Sequence, residues 1–338
     1  MAETDRDVFL LGAGFSRAIS EHMPLLPDLA RGVLGRFRPR ERIPPDVAAL
    51  AEEDFAHALS YLEHPKPWVS EGDNLRHRGL FLEFSSVISE LLEEAVRRTA
   101  GALAGESPHW LKRLILHWHQ HRCGVLTLNH DTLIETMASG LEVEGEPLWA
   151  HYIYPPLLTD ARLRSGDWEP FPERETLLLL KLHGSTNWYY SGRVSAFGEP
   201  IYFVAPPRPN GDDEARYRRR LRAVADKYPF LVPPIYDQSS LLTHETIRAH
   251  WLQSGQLLRK ARRLVCMGYS LPPSDIIMHH FLRTSLGQDV EVEVVDESRD
   301  VVENYRHALG GTSAQVRGSF AGPGAIERFI QSLQDSSD

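Results

Sequence analysis

The sequence predicts an α/β protein built on a doubly wound parallel sheet. Short apolar runs end in polar or glycine-rich turns, and segments with helical spacing of apolar residues follow these turns. In the last third of the chain, strand, turn and helix alternate in strict order, which is typical of a parallel sheet with helices on both faces. The 338 residues have room for one large domain with an insertion.

The composition is that of a soluble globular protein, with 42% hydrophobic and 25% charged residues. A net charge of −9 argues against a protein built mainly to bind nucleic acid. The exception is a run of five arginines between Arg216 and Arg222. We interpret it as the solvated face of a helix, with contact to a partner or to nucleic acid as the alternative.

The two cysteines and the absence of a long apolar segment indicate the compartment. Cys123 and Cys266 stand in or beside apolar runs, so we expect buried free thiols and a reducing environment. No apolar stretch approaches the ~20 residues that span a bilayer. The acidic segment 1–7 is unlike a signal peptide, and we expect a cytoplasmic protein that does not contact a membrane.

The first element is an apolar strand, Val8–Leu11, followed by Gly12-Ala13-Gly14-Phe15-Ser16. We expect Gly12 to permit a tight turn and Gly14 to let a ligand approach the backbone. The free amides of the following helix would attract an anion such as a pyrophosphate. Arg17 replaces the third glycine of the dinucleotide-binding fingerprint and could itself pair with a phosphate. A glycine-rich turn without a ligand is the alternative.

The region from Asp28 to about Leu103 is predicted to be helical, because apolar residues recur at three- and four-residue spacing. Its main helices are expected over Ala48–Leu62 and Leu75–Val96. Ser107 and Pro108 are expected to cap and open a further helix that runs through Trp118.

The middle of the chain contains two more buried strands. Cys123–Leu128 ends at Asn129-His130-Asp131 and precedes a helix over Thr132–Ala138. Residues 140–174 are interpreted as a long connection. Leu177–Leu182 is the most apolar strand and leads into a turn, His183-Gly184-Ser185. A short strand at 201–204 comes before a loop at 206–214.

The last third supplies the remaining alternating elements. We predict helices over 244–261, 274–286, 299–309 and 325–333, strands over 263–267 and 290–295, and a turn from Gly268 to Pro273.

Polar and glycine-rich residues follow five of the predicted strands: Gly12 to Ser16, Asn129 to Asp131, His183 to Ser185, Gly268 to Ser270, and Asp296. Ligands of open parallel sheets bind beyond the carboxyl ends of the strands. Taken singly, each group has an ordinary explanation, since Asn129 and Asp131 could cap a helix and His183 could be a core histidine. Together they favour a functional site.

These motifs resemble those of a known family. Gly12 to Ser16, Thr127-Leu128-Asn129-His130-Asp131 and Leu182-His183-Gly184-Ser185 stand in the order of the sirtuin signature motifs, and Gly268-Tyr269-Ser270-Leu271-Pro272 resembles a later one. The pattern, which includes Asn187-Trp188, looks most like the bacterial SIR2-like proteins and spans residues 8 to about 300.

The resemblance implies a Rossmann-like domain that binds NAD+. We therefore expect one SIR2-like domain over 1–338. Its sheet core would come from about residues 5–20, 122–140, 176–204 and 243–335, and a helical insertion would cover about 28–121.

The departures from true sirtuins disfavour lysine deacylation. Sirtuins carry a zinc module held by four cysteines, which two cysteines cannot build, so no metal is expected. The sirtuin Thr-Gln-Asn becomes Thr127-Leu128-Asn129, and the Pro-Asp-Phe-Arg that follows the first motif is missing. Resemblance to SIR2-like effectors of anti-phage defence instead implies cleavage of NAD+ to nicotinamide and ADP-ribose.

Residue roles follow from that chemistry. Nicotinamide leaves as a neutral base, and the ribose passes through an oxocarbenium-like state. His183 could accept a proton from water or a ribose hydroxyl, and Asn129 could orient them. Asp131 would position Asn129 or the nicotinamide side. The remaining expected NAD+ contacts are Gly12, Ala13, Gly14, Phe15, Ser16 and Arg17 at the pyrophosphate, Thr127, Gly268 with Ser270 near the adenosine phosphate, and Asp296 at the adenine ribose.

Two other functions remain open from the sequence. One is a sensor or assembly subunit that binds NAD+ or ADP-ribose without turnover. The other is protein deacylation or ADP-ribosylation. A metal site at His117, His119 and His121 is disfavoured, because only His117 and His121 share a helical face.

Regulation is expected to involve other chains. Uncontrolled NAD+ cleavage would kill the host, so we expect a homo-oligomeric switch, or a separate sensor or ATPase chain encoded nearby. Segment 28–121 and the basic helix are the candidate contact surfaces.

Overall fold

The computed structural model describes residues 6–37, 43–105, 108–166, 174–191, 200–209, 213–233 and 244–335. The strands within these ranges are β1 Arg6–Leu11, β2 Gly124–Thr127, β3 Glu142–Val143, β4 Glu146–Pro147, β5 Thr159–Asp160, β6 Leu178–Lys181, β7 Gly184–Tyr190, β8 Tyr202–Phe203, β9 Tyr228–Leu231, β10 Ala261–Met267, β11 Glu291–Asp296 and β12 Gln315–Ala321. The helices are α1 Ala13–Ile19, α2 Leu26–Phe37, α3 Pro45–Glu53, α4 Phe55–Glu63, α5 Glu71–Gly105, α6 His109–Gln120, α7 Leu133–Ser139, α8 Ala150–Ile153, α9 Arg162–Ser165, α10 Glu214–Ala223, α11 Glu245–Lys260, α12 Ile276–Ser285, α13 Val301–Ala308 and α14 Ala325–Asp335.

The centre of the fold is a six-stranded sheet in the order β12-β11-β10-β1-β2-β6. All neighbouring strands in it are parallel. The chain starts in the middle, builds outward through β2 and β6, and then returns to build the other half through β10, β11 and β12. This is a doubly wound order with its switch point between β1 and β10. The predicted fold class is confirmed.

Side chains of β1 alternate between the two helical layers that cover the sheet. Phe9 and Leu11 belong to a core shared with α6, α14 and the helical insertion. Val8 and Leu10 face the other way and pack with residues of α11, α12 and α13. Because both faces are covered, the strand is apolar throughout, as its sequence is.

The sixth strand, β12, is not predicted by the sequence. Its residues, Gln-Val-Arg-Gly-Ser-Phe-Ala, alternate between exposed and half-buried. It pairs only with β11 and forms one edge of the sheet. An edge strand needs little apolar surface, so the apolar run that identified the other strands is missing here.

A second sheet, with the order β5-β8-β7-β9, begins where the sequence predicts a turn after His183. The turn lies at Leu182 and His183, one residue earlier than predicted, and Gly184 and Ser185 already belong to β7. Gly184 has φ +79°, and a Cβ on it would lie 2.3 Å from the carbonyl oxygen of Phe230. The bend between the two sheets therefore requires glycine.

The helical insertion has the predicted extent, from Leu26 to Gln120, but is more divided than predicted. The expected helix over 48–62 is interrupted at Asp54, whose carboxylate accepts a hydrogen bond from the His57 amide at 2.9 Å and caps α4. Pro108 lies just before α6 rather than in its first turn, and Ser107 lies outside the described residues. The expected connection over 140–174 contains the short elements β3, β4, α8, β5 and α9.

Other predictions can be compared directly. Both cysteines are buried and free, as expected. The arginine-rich segment forms α10, which has no buried residue. Helix α12 begins at Ile276 and is capped by Asp275, not Ser274. None of the helices in the described ranges is long and apolar enough to cross a membrane.

Candidate functional site

The turns after β1 and β10 pack directly against each other at the switch point. The Gly14 amide donates to the Gly268 carbonyl oxygen at 2.8 Å. A Cβ on Gly14 would lie 2.8 Å from Gly268 Cα, and one on Gly12 would lie 2.5 Å from Tyr269 Cβ. Gly268 itself has φ +60°, and a Cβ there would lie 2.1 Å from the Phe15 nitrogen. The glycines are needed because two loops of the protein touch here, a reason the sequence did not suggest.

This packing changes the expected anion site at the start of α1. The Gly14 amide is bound to Gly268, and the Phe15 amide donates to the Gly12 carbonyl oxygen at 2.9 Å. The prediction that the first amides of this helix are free is wrong for these two. Ala13, which lies between Gly12 and Gly14 in the chain, is exposed.

Two further residues of this turn point away from the crevice. The Phe15 ring is buried in the core, with its centroid 6.0 Å from the Trp110 ring and 6.2 Å from the Trp118 ring. The Arg17 guanidinium donates to the carbonyl oxygens of Glu21 at 2.8 Å and Met23 at 2.9 Å. It also lies 3.4 Å from the Asp28 carboxylate.

Three predicted site residues from two strand ends form one hydrogen-bond chain. Asp131 is 7% exposed, and its Oδ2 accepts a hydrogen bond from Ser16 Oγ at 2.6 Å. Ser16 Oγ in turn accepts from Asn129 Nδ2 at 2.9 Å. The other hydrogen on Asn129 Nδ2 goes to the Gly12 carbonyl oxygen at 2.8 Å. A carboxylate can only accept, so the direction of every bond in the chain is determined.

This chain decides which atom of Asn129 is available to a ligand. Both amide hydrogens are used, so the remaining polar atom is Oδ1, a hydrogen-bond acceptor. The Asn129 backbone is held as well, because its amide donates to Thr127 Oγ1 at 3.0 Å. Thr127 is 2% exposed and therefore supports the loop from below.

His183 lies at the end of the neighbouring strand, β6, and is 8% exposed. Its ring centroid is 6.3 Å from that of His130 and 6.3 Å from that of Trp251. Its carbonyl oxygen accepts from the Val232 amide at 2.8 Å. Its Nε2 is buried and has no hydrogen-bond partner among the described residues. An unpartnered buried nitrogen is costly unless something binds it.

Both histidines of this edge are held neutral. Burial lowers the pKa of His183 to about 4, an effect that the Asp275 carboxylate opposes. Burial also lowers the pKa of His130 to about 3, and the nearby His183 and Lys181 act in the same direction. At neutral pH the ring of His183 therefore has one nitrogen free to accept a proton.

The other half of the crevice lies at the ends of β10 and β11. Ser270 is exposed, and its carbonyl oxygen accepts from Asn304 Nδ2 at 2.8 Å. Asp296 is half-buried, and burial raises the pKa of its carboxyl group. Four strand spacings of ~4.8 Å separate β11 from β6, so the row of strand ends is about 19 Å wide. That width suits an extended dinucleotide.

Sequence reasoning missed three buried polar residues beneath the site, Lys181, Glu135 and Tyr154, and gave no role to a fourth, Asn187. Two of them carry a signal that could have been used. Lys181 is a charged residue inside the most apolar strand, and Glu135 is the charged residue of a short helix, α7, in which every residue is buried. A charge in such a place must have a partner.

The three histidines of α6 and its end do not come together. The His117 and His121 rings lie 4.4 Å apart, whereas His119 Nδ1 is 2.8 Å from Thr176 Oγ1. Within the described ranges, no group of three histidine, cysteine or acidic residues could hold a metal ion.

Comparison with solved structures finds similarity to Sir2 enzymes. A structure that describes the mechanism and regulation of Sir2 enzymes has a TM-score of 0.40 and 11% identity, and the match covers 99% of this chain and 94% of that one. A Sir2 homolog in complex with NAD has a TM-score of 0.39, 13% identity and coverages of 98% and 91%. A Sir2 structure with a p53 peptide and NAD+ has a TM-score of 0.39, 12% identity and coverages of 98% and 93%.

No protein-family model matches the chain, and no curated protein matches it either. The assignment of a doubly wound parallel sheet rests on the strand order described above.

Proposed function

We propose that this protein is an NAD+ glycohydrolase, which cleaves the bond between nicotinamide and ribose and releases nicotinamide and ADP-ribose. The observation that carries the proposal is the chain from Asp131 through Ser16 to Asn129. It presents one amide oxygen, Asn129 Oδ1, at the end of β2, and the neighbouring strand β6 leads to His183, whose buried Nε2 has no hydrogen-bond partner among the described residues.

The proposed reaction needs little from the protein beyond orientation and a proton acceptor. The C–N glycosidic bond breaks, and its electron pair stays on the nicotinamide nitrogen, which thereby becomes neutral. Water forms the new C–O bond at the oxocarbenium carbon and gives up one proton. Asn129 Oδ1 would accept a hydrogen bond from that water or from a ribose hydroxyl and set its direction.

His183 would take the proton released by the water. A pKa lowered to about 4 keeps the imidazole unprotonated at neutral pH, as a base must be. It also makes His183 a weak base, which is sufficient because the attacked carbon is strongly electrophilic and proton transfer comes late.

The rest of NAD+ would lie along the row of strand ends. The pyrophosphate would cross the turns of Gly12 to Gly14 and Gly268, with exposed Ala13 and Ser270 beside it. Asp296 would accept hydrogen bonds from the adenine ribose. In this proposal the side chains of Phe15 and Ser16 do not contact NAD+ directly, because the Phe15 ring is in the core and the Ser16 hydroxyl is bonded to Asp131.

In the cell, such an enzyme would deplete NAD+ as an effector of anti-phage defence. It would have to stay inactive until triggered, because constant NAD+ cleavage is lethal. A homo-oligomeric switch, or a separate sensor or ATPase chain, would supply this control. The arginine-rich helix α10 and the insertion α2–α6 are the surfaces that we propose for these contacts.

The test is nicotinamide release from NAD+ by the purified chain, measured over a dilution series without an added acceptor. Asn129→Ala and His183→Ala should each slow release by at least ~100-fold while leaving the fold intact by circular dichroism. His307→Ala, a substitution of an exposed histidine on α13, is the matched control and should keep wild-type activity. Wild-type rates in either site variant would contradict the proposal.

A sensor that binds NAD+ without turnover is the second candidate. It is favoured by the environment of His183, which is 8% exposed and whose pKa burial lowers to about 4, because an imidazole of such low pKa is a weak base. Tight NAD+ binding by calorimetry, with no nicotinamide release even after neighbouring gene products are added, would support the sensor over the hydrolase.

A further inference from the structure

A buried lysine lies directly beneath the candidate site. Lys181 is the last residue of β6, two residues before His183, and is 1% exposed. Its Nζ donates to the backbone carbonyl oxygen of Asp131. It also forms an ion pair with Glu135 Oε1 at 3.0 Å. One ammonium group thus joins the strand that ends at His183 to the loop that carries Asn129 and Asp131.

The anionic partner is held in place by its own neighbours. Glu135, on α7, is 1% exposed, and its Oε1 also accepts from the Tyr154 hydroxyl at 2.5 Å. Asn187 Nδ2 donates to the Tyr154 oxygen at 3.3 Å and to the Val204 carbonyl oxygen at 2.9 Å. Burial and the adjacent Glu135 carboxylate raise the pKa of Tyr154 well above its usual value, so its hydroxyl stays a donor.

Stability alone does not explain such a pair. Moving two charges out of water is expensive, and apolar residues of similar volume often stabilise a core as well or better. What an apolar residue cannot do is donate a hydrogen bond to the Asp131 carbonyl oxygen. That contact is therefore the property that distinguishes lysine from leucine or methionine at this position.

The Asp131 backbone sets the geometry above it. Its carboxylate accepts a hydrogen bond from the Ser16 hydroxyl at 2.6 Å, and the Ser16 oxygen accepts one from the side-chain amide of Asn129. A shift of this backbone would pass through Ser16 to Asn129 Oδ1. The same lysine is covalently linked through Leu182 to His183, so one residue relates the two groups of the site to each other.

We propose that Lys181 is a positioning residue, which holds the Asn129–Asp131 loop at a set distance from His183, and that Glu135 keeps the Lys181 ammonium aimed at the Asp131 carbonyl oxygen. This inference rests on the function proposed for the site, but its structural part can be tested without that function.

The test uses a substitution that removes the contact without leaving a lone buried charge. Lys181→Met/Glu135→Leu replaces the pair with apolar residues. Asp160→Leu/Arg162→Met is the matched control, because it removes another buried ion pair, with a separation of 2.6 Å, from the second sheet. Both double variants should fold, as judged by thermal unfolding.

Two measurements are made on each variant. In the Lys181/Glu135 variant, kcat for nicotinamide release should fall up to about 100-fold, with a much smaller change in KM, because misplaced groups slow the reaction more than they weaken binding. Hydrogen exchange of the amides over residues 127–134 should become faster. The control should change neither quantity.

The outcomes separate this proposal from the hydrolase. A folded Lys181→Met/Glu135→Leu variant with wild-type kcat and unchanged exchange over 127–134 would overturn the positioning role. If the wild-type protein releases no nicotinamide even after neighbouring gene products are added, the proposed function fails. The exchange measurement still decides in that case: faster exchange in this variant alone supports positioning, and equal exchange overturns it.

Discussion

Replacing Ser16 by alanine tests the central hydrogen-bond chain of the site. Ser16 is 4% exposed, and its hydroxyl joins the buried Asp131 carboxylate to the side-chain amide of Asn129. Ser16→Ala removes both bonds and leaves a methyl group against a carboxylate oxygen. The Leu133 backbone amide still donates to Asp131 Oδ1 at 3.1 Å, so the carboxylate keeps one of the two hydrogen bonds described here and loses the other.

The expected loss of stability follows from these contacts. A hydrogen bond to a buried charge contributes roughly 1.5–3 kcal/mol, and one between neutral groups about 1 kcal/mol. We expect Ser16→Ala to lower the free energy of unfolding by about 3 kcal/mol, which corresponds to a fall in Tm of about 4 °C for a chain of this size.

The effect on turnover should exceed the effect on binding. Without the Ser16 hydroxyl, the side-chain amide of Asn129 keeps only the bond to the Gly12 carbonyl oxygen and can rotate. We expect kcat for nicotinamide release to fall roughly 10- to 100-fold. Because Ser16 acts through Asn129, Ser16→Ala/Asn129→Ala should be no slower than Asn129→Ala alone.

A matched control lies at the sheet edge. Ser319 Oγ donates to the buried Glu293 carboxylate at 3.1 Å, and the same carboxylate also accepts a hydrogen bond from the Ser319 backbone amide at 2.7 Å. Ser319→Ala should cost roughly 1.5–3 kcal/mol and leave kcat unchanged. The reasoning would be refuted if Ser16→Ala kept both wild-type stability and wild-type kcat, or if its effect on kcat added fully to that of Asn129→Ala.

Three further predictions concern the crevice and the core. Gly268→Ala should destabilise the protein by more than Gly322→Ala, as measured by urea unfolding. Both residues have positive φ, which costs ~1–2 kcal/mol for alanine, but only at Gly268 would the Cβ meet a backbone atom, Phe15 N at 2.1 Å; equal losses would contradict this. Asp296→Asn should weaken ADP-ribose binding about tenfold by calorimetry, the equivalent of one charge-assisted hydrogen bond of ~1.5 kcal/mol, with no loss of thermal stability; undiminished affinity would remove Asp296 from the site. His250 is fully buried, and burial lowers its pKa to about 3. Below pH 6.5 the unfolded chain therefore binds a proton that the folded chain does not, and stability falls as the pH falls, by about 2 kcal/mol from this residue at pH 5. His250→Leu should reduce the loss of stability between pH 7.5 and pH 5 by that amount in urea titrations, and an unchanged loss would show that His250 is protonated in the folded state.

The sequence predicted the central sheet because five of its six strands have a local signal. Each of these strands is an apolar run that ends in polar or glycine residues, and such runs are visible without knowing what they pair with. The exceptions have physical reasons. β12 is a half-exposed edge strand, and β7 follows the turn at Leu182 and His183 directly because Gly184 bends the chain into a second sheet.

The strand ends were also predictable as a group. Parallel strands that alternate with helices bring their carboxyl ends to one edge, so Asn129, His183 and Asp296 were expected there on topology alone. Their roles in chemistry remain predictions. For Phe15 and Arg17, sequence position was not enough, because a residue in a turn can point either into the core or along the surface.

What the sequence alone determined is the order of elements, the parallel sheet and the edge where polar residues collect, since all three follow from local patterns of apolar and polar residues. Only the tertiary structure decided which of those residues bind one another. Ser16 and Asp131 are 115 positions apart in the chain, and Lys181 is 50 positions from the Asp131 carbonyl oxygen that it holds. Such pairs depend on strand register and loop packing, which no local pattern contains.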